Sequence, residues 1–521
     1  MRTIEKIKLL NFKRFSSFEV EFCSDINLLI GDNEAGKSSI LSALELIISG
    51  SRNKVETLGL ESLFNTEVVA KFLSGNKKIE DLPKLRIELH LNEQEDPDLY
   101  GRMNINGVQA NGLQLICEPN ESLTAEIKHV LSQTTSNFPF EFYNINFLTF
   151  SGEAYSGYRK FLRHLALDSS QINNEHATKE YVRTVYESLV GHPERLNLQN
   201  QYRLQKLQFK NDKMNVVNTK IDDYQFAIRS GSKSNLETDL IITENEVPIQ
   251  YRGKGRQCFI KTEFALRRYD EEQNLDVLLL EEPENHLSHT NMKRLIKRIS
   301  SSQAKQIFIA THNSLISTRL DLRKSILLNS SSLKPIRLKD LHEDTAAFFM
   351  KAPDNNILEF ILSSKVILVE GDAEYILIDA IYSNVTSSTL EDDDIHVISV
   401  GGTSFKRYLD LAKHLNIKTA VIRDNDGDHN ACCIENYVDY VSDNIKIFYE
   451  SDDSKRTFEI CLYELNRKNC DDLFSTGRRT LSPLEFMLKN KADCAFKIRD
   501  EKPKEIVSPE YIKQAIAWIS A

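Results

Sequence analysis

Apolar residues in this chain fall into short runs that stop abruptly at glycine or at carboxylates. Ile26 to Ile30 is one such run, broken by Gly31 and followed by Ile40, Leu41, Leu44 and Ile47. A short bounded apolar run reads as a buried strand, and three-to-four-residue spacing reads as an amphipathic helix. The alternation returns with Leu275 to Leu280, then Met292, Leu295, Ile296 and Ile299 on a helix, then the strand Ile307 to Ala310. A polar, weakly patterned stretch from Asn329 to Asn356, with Ser330 to Ser332 and Lys334-Pro335, reads as a boundary. Beyond it come a strand (365–369), a helix (375–381), a strand (395–400), the turn Gly401-Gly402, a helix (405–414) and a strand (419–422). Strands alternating with helices predict parallel sheets. The expected architecture is α/β, with a first domain over 1–350 and a second over 355–521. Residues 155–225, polar and helix-patterned, are expected to form an inserted arm that dimerises or faces DNA.

Composition narrows the class. The chain has 521 residues, 41% hydrophobic and 27% charged, which fits a soluble globular protein of several domains. It contains no apolar run of about 18 residues, so no membrane span is expected. The N-terminus enters a strand pattern directly, unlike a signal peptide. Eight scattered cysteines without a Cys-x-x-Cys pair argue against zinc and disulfide frameworks and predict a cytoplasmic protein. The net charge of −10 argues against a general nucleic-acid binder, although carboxylates gathered at metal sites contribute to it. Basic stretches at Lys206, Lys210 and Lys213, at Lys293 to Arg298, and in the tail from Arg478 and Arg479 to Lys504 read as solvated faces.

The run breaks carry the chemistry. Gly31-Asp32-Asn33-Glu34-Ala35-Gly36-Lys37-Ser38-Ser39 places Gly-x-x-x-x-Gly-Lys-Ser between a strand and a helix. The glycines let backbone amides close around phosphate oxygens, with the positive end of the helix facing them. Lys37 would reach the terminal phosphates of ATP and Ser38 would ligate Mg²⁺. About 240 residues downstream, the 275–280 strand ends in Glu281-Glu282-Pro283-Glu284. One acid there would hold Mg²⁺ through water and the next would polarise the attacking water, roles that Glu281 and Glu282 fit. His312, just past the next strand, is expected to sense the γ-phosphate.

A second set of carboxylates follows residue 355. Glu370 ends one strand with Glu374 a turn later, and Asp424, Asp426 and Asp428 end another. Strand ends of an open parallel sheet place ligands, so these acids are suited to one or two Mg²⁺ or Mn²⁺ ions. Asp424, Asp426, Asp428 and Glu435 also match positions of a calcium loop. That reading fails where His429 replaces the required glycine and a strand precedes in place of a helix. A merely solvated acidic turn would not explain why Glu370 and Asp424 both end apolar strands.

The wide spacing of the first motif set, with Arg252-Gly253-Lys254-Gly255-Arg256-Gln257 before the acidic strand, resembles the split ATPase heads of the ABC superfamily, in its SMC and DNA-repair branch. Ile4 to Phe22, with Asn11-Phe12-Lys13-Arg14-Phe15, resembles the opening strands of that branch. The resemblance implies that Gly253 and Gly255 of one head cap the ATP held by another, hence a dimer or higher even oligomer. Two departures imply slow hydrolysis: Glu281 stands where the superfamily has aspartate, and Lys254 stands near the usual serine.

Glu-Gly-x-x-Glu at 370–374, followed by Asp-x-Asp at 424–426, resembles the toprim fold. Thr457-Phe458-Glu459-Ile460 and the segment Phe486 to Phe496 resemble later elements of the OLD (overcoming-lysogenisation-defect) family of ATP-linked nucleases, which includes the nuclease of Gabija-type anti-phage systems. This implies an ATP-regulated, metal-dependent DNA endonuclease of anti-phage defence, with Glu370, Asp424, Asp426 and Lys491 catalytic. Its metal ligands would come from Glu370, Glu374, Asp424, Asp426, Asp428 and Glu459. A helicase or other defence component is an expected partner. Two other classes stay open: a repair or clamp ATPase with an inactive toprim domain, and a scaffold that recruits an effector.

Overall fold

In the computed structural model the chain divides into two compact units, Met1–Ile316 with Lys324–Arg337, and Ser317–Arg323 with Leu338–Ala521. The structure describes residues 2–521 except 94, 134–136, 158–160, 170–174, 221–225, 230–234, 267–274, 302–304, 330–331, 352–355, 403 and 476–480. Parts of the expected boundary (330–331, 352–355), parts of the expected arm and the basic residues Arg478 and Arg479 lie outside the described residues.

Among the described residues the first unit holds a two-stranded ribbon, Thr243–Glu244 with Val247–Pro248, and two six-stranded sheets. One is antiparallel, ordered Phe15–Glu21, Ile4–Phe12, Leu85–Leu91, Ala110–Pro119, Tyr100–Gly101, with Tyr143–Thr149 also on Ala110–Pro119. The other runs Ser332–Arg337, Ser325–Asn329, Ile26–Gly31, Gln306–Ala310, Val277–Glu281, His164–Asp168, and every pair except the first is parallel. The helix Lys37–Ser49 contacts strands of both sheets. Ile40, Leu41, Ala43, Leu44, Leu46, Ile47 and Ile48 are all buried on it. Apolar positions nearly all round are what a helix enclosed on both sides requires.

Two expectations change. Residues 155–225 are not wholly helical: His164–Asp168 is an edge strand of the parallel sheet, ahead of the helices Glu175–Leu189 and His192–Phe209. The units part at Arg337, earlier than 350–355. Ser332–Arg337 pairs back onto Ser325–Asn329, whereas the helix Glu343–Lys351 belongs to the second unit. There Thr345 Oγ1 donates to Asp410 at 2.6 Å and the Phe349 ring packs edge-on against Tyr408.

The second unit is built on four parallel strands ordered Ile395–Ser399, Lys365–Val369, Lys418–Ile422, Ile445–Phe448. From Lys365–Val369 the chain passes to Ile395–Ser399 on one side, then crosses to Lys418–Ile422 on the other. The chain thus leaves the two central strands toward opposite sides of the sheet, and at such a switch point open α/β sheets form a ligand crevice. Among the described residues no helix is long and apolar enough to cross a membrane.

Candidate functional site

The first cleft lies at the carboxyl edge of the six-stranded parallel sheet, where Glu281 is in register with Ala310 on one side and Asp168 on the other. A Cβ at Gly31 would meet the Leu328 carbonyl oxygen at 2.1 Å, and one at Gly36 (φ +100°) would meet the Phe15 ring at 2.4 Å. The loop needs glycine at both places. Lys37 Nζ donates to the carbonyls of Gly31 and Asp32 at 2.7 and 2.8 Å. Burial holds its pKa down, against the pull of Asp32 and of Glu282, Glu281 and Glu284. Burial also raises the Glu281 carboxyl, and the neighbouring Asp168 and Glu282 add to this, while a hydrogen bond from Ser38 and the charge of Lys13 oppose it.

Glu282 turns past the strand end at φ +46°, and its carboxylate lies 3.8 Å from His312 Nε2. Burial, then the charge of Lys37, lowers the His312 pKa, so the imidazole is neutral near pH 7. Sequence reasoning gave Glu284 no role, yet it fixes that turn, accepting from Thr311 Oγ1 at 2.6 Å and from the His312 amide at 3.1 Å.

Asn33, Gly36, Lys37, Ser38, Ser39, Glu281, Glu282 and His312 line one cleft of about 350 Å³. Gly31 lies buried behind the loop, and neither Gly253 nor Gly255, at the start of the helix Lys254–Leu266, lines this cleft. Arg14 does line it, and donates to the Glu34 carbonyl across the loop. The signal for Arg14 was a charged residue at the turn between two apolar strands. A glycine cradle, a helix N-terminus and a lysine, flanked by a Ser-Glu pair, fit a nucleoside triphosphate with Mg²⁺.

The second unit's crevice, about 320 Å³, is lined by Glu370, Asp372, Glu374, Asp424 and Lys491, with Gly402 at its rim. Four separated segments meet there. Asp424 Oδ1 accepts the Phe458 amide at 2.8 Å, at the start of the helix Phe458–Leu465. Next on that helix, Glu459 is 3% exposed; its Oε2 pairs with Lys491 Nζ at 2.9 Å, and neither of its carboxylate oxygens makes a hydrogen bond. Burial pushes Asp424 up to about 8, with Glu374, Glu370 and Glu459 reinforcing and Lys491 opposing. Burial likewise pushes Glu374 up to about 7. For Lys491 burial works against the charge, but Glu459, Asp424 and Glu374 together outweigh it and the pKa rises.

Arg423, which sequence reasoning passed over although it directly precedes Asp424, is buried. Its guanidinium binds Glu370 and, at 2.6 Å, Asp426. Asp426 and Asp428 do not line the crevice. Asp426 and Gly427 take φ of +51° and +90°, and this turn carries Asp428 to the surface, where it accepts the Ala431 amide at 3.0 Å. Asp428 thus caps the next turn, outside the crevice that Glu370, Glu374 and Asp424 line. Among the described residues no three acidic, histidine or cysteine side chains converge in metal-binding geometry. The donor chemistry still fits a hard divalent cation. Glu374 and Asp424 line the crevice as desolvated carboxyls, and pairing with such a cation would offset that desolvation.

Fold and clefts together define a phosphate-loop ATPase head carried on one chain with a toprim domain. The family model described as "AAA ATPase domain" matches residues 2–316, well over half of the chain, and the chain belongs to that family. Residues 361–426 match the model "Overcoming lysogenization defect protein-like, TOPRIM domain". Curated relatives match over short stretches only. The DNA double-strand break repair Rad50 ATPase of Thermoplasma acidophilum is 32% identical over 74 residues, 14% of this chain and 8% of that protein. The DNA replication and repair protein RecF of Clostridium kluyveri is 26% identical over 131 residues, 22% of this chain and 34% of that protein. Among solved structures, the C-terminal region of the Burkholderia pseudomallei OLD protein is 22% identical (30% of this chain, 97% of that one, TM-score 0.25). The Smc head domain bound to the C-terminal domain of ScpA, from Pyrococcus furiosus, is 12% identical (65% and 97%, TM-score 0.35). The fold assignment rests on the strand orders rather than on overlays with such scores.

Proposed function

We propose that this protein is an ATP-regulated, divalent-metal-dependent DNA endonuclease. The observation that carries this reading is the meeting of Asp424 and Glu374 with Lys491, itself paired with the buried Glu459, at the carboxyl ends of the central strands of the second unit. In the reaction, water attacks phosphorus, the P–O3′ bond breaks and the 3′-oxygen leaves. Glu370 would take the proton of the water, and Lys491 would add positive charge beside the developing phosphorane. A divalent cation held by Glu374, Asp424 and Glu459 would supply Lewis-acid polarisation of the phosphate.

ATP binding in the first cleft would act as a gate. Gly253 and Gly255 lie outside the chain's own cleft, which supports their capping a nucleotide held by a second copy in an even oligomer. Glu282 would polarise the hydrolytic water, with Glu284 and His312 fixing its surroundings. The resemblance to the OLD family supports anti-phage defence as the setting and a helicase-type partner. One observation favours the alternative of a DNA-bound clamp ATPase: Glu370 and Asp426 are already neutralised by Arg423.

Supercoiled plasmid incubated with Mg²⁺ or Mn²⁺, with and without ATP, separates the two readings. Nicked or linear product that disappears in Asp424→Asn is expected, and the ATP lanes give the sign of the gate. Protein that binds ATP and retains DNA without cutting it under any condition would establish the clamp instead.

A further inference from the structure

On one face of the second unit's sheet, Ile367, Val369, Ala420 and Ile422 are buried under the helix Glu510–Ser520. At the amino edge of that face, opposite the crevice, the apolar pattern gives way to three lysines. Lys365 and Lys418 are partners in register. Lys446 pairs with Ala420, two residues beyond Lys418 and so on the same side. Adjacent strands lie about 4.8 Å apart, so the three backbone positions span about 10 Å. Trp518, the chain's single tryptophan, meets them from the last turn of the helix. Lys418 Nζ lies 5.0 Å and Lys446 Nζ 5.4 Å from the centre of the indole, and Phe448 packs against it at 6.0 Å.

The protein leaves this row of charge unanswered. Among the described residues none of the three lysines forms an ion pair. Desolvation, then the repulsion of Lys365 and Lys446, lowers the Lys418 pKa. Asp393 feels Lys365, but its carboxylate accepts from the Tyr382 hydroxyl at 2.6 Å. In a chain of net charge −10, three unpaired cations gathered at one aromatic ring make a local surface complementary to a polyanion.

We propose that Lys365, Lys418, Lys446 and Trp518 form an anchor for the phosphate backbone of DNA, separate from the cleavage crevice. That the polyanion is DNA rests on the nuclease reading above; the lysine row itself does not. Each central strand runs five residues from this edge to the other. At about 3.3 Å per residue, the anchored phosphates lie about 16 Å from the crevice carboxylates. Phosphates carry no sequence information, so DNA is gripped here whatever its sequence.

Trp518 reports on the site directly. The full chain is titrated with a short labelled duplex in EDTA, which prevents cleavage, and tryptophan emission and DNA anisotropy are followed over a range of salt. Emission should change as phosphates draw the ammoniums off the ring. The slope of log affinity against log salt should fall by about 2 in Lys418→Gln/Lys446→Gln, one for each lost phosphate contact. Lys418→Arg/Lys446→Arg keeps the charge and should keep the slope. If the double glutamine variant does not fold, Lys446→Gln alone, at an exposed position, should lower the slope by about 1. Asp424→Asn should leave the Trp518 response in place, so the anchor and the nuclease reading can fail separately. Duplex bound without a change in emission, or with a slope indifferent to the glutamine variants, would overturn the anchor and leave the nuclease reading standing. No binding of DNA would also overturn the anchor, and plasmid cleavage with Mn²⁺ then decides the nuclease reading by itself. A poly-glutamate peptide that gives the same response at equal or tighter affinity would overturn it in favour of an acidic protein partner. Anchoring without cleavage under any condition would uphold the anchor and remove the nuclease.

Discussion

The two clefts sit on the same kind of edge, the carboxyl ends of parallel strands, yet they are prepared for ligands of opposite charge. In the first, Gly31 and Gly36 clear space for backbone amides, Lys37 sits in the loop they form and Arg14 reaches across it, while Glu281 and Glu282 are set back at the neighbouring strand end. In the second, carboxylates occupy the strand ends themselves, and the cations Arg423 and Lys491 hold them from behind and from the side. The sheet edge supplies position. The residue that ends each strand decides whether an anion or a cation is drawn to it.

If the clefts are separate in this sense, each can be emptied without the other. Glu374→Gln should abolish cleavage, by more than about 100-fold, and leave fluorescent-nucleotide binding unchanged. Lys37→Ala should weaken nucleotide binding by about 2–5 kcal/mol, the cost of removing one partner of a buried charged contact, and leave Mn²⁺ binding at the crevice intact. An effect of either change on both ligands would break the comparison. Glu282→Gln should slow ATP hydrolysis by about 10²–10⁴-fold with ATP binding retained, as for loss of a general base.

Protons should separate the clefts further. The Asp424 and Glu374 carboxyls sit at about 8 and about 7, well above their values of roughly 4 in an unfolded chain. Without metal, the folded state therefore binds more protons than the unfolded one across this range, and stability falls as pH rises from about 4 to 8. A divalent ion favours the ionised carboxylates. Mn²⁺ should raise the melting temperature by about 2–4 °C per kcal/mol gained, more at pH 8 than at pH 5.5, and not in Asp424→Asn. The smallest effect belongs to Asp428→Ala: cleavage unchanged and less than about 1 kcal/mol of stability lost, because only a cap is removed.

Most of the first cleft was legible because its strands are buried on both faces and their apolar runs end at the chemistry. His164–Asp168 was not. As an edge strand it pairs on one side only and buries Leu165 alone, so its alternation is lost in a polar stretch, and Asp168 beside Glu281 went unseen with it. In the second unit Glu370 and Asp424 could be read from their strand ends. Asp428 misled because a run of acids looks equivalent in sequence, whereas two successive left-handed residues turn the third away. Glu459 and Lys491 had no local signal of their own. They reach Asp424 only through helices packed from later in the chain, and resemblance rather than periodicity pointed to them.

The phosphate-loop strand Ile26–Gly31 is flanked on both sides by strands made far later, Gln306–Ala310 and Ser325–Asn329. During synthesis the loop leaves the ribosome without neighbours, and at about 5–20 residues per second its flanking strands follow only after roughly 15–55 seconds. Until then the apolar helix Lys37–Ser49 has only the antiparallel strands, joined later by His164–Asp168 and Val277–Glu281, to shelter against. A chain interrupted before residue 306 would carry the whole Gly-Lys-Ser motif and still have no nucleotide cleft, so a broken message cannot yield a free-standing ATP-binding fragment.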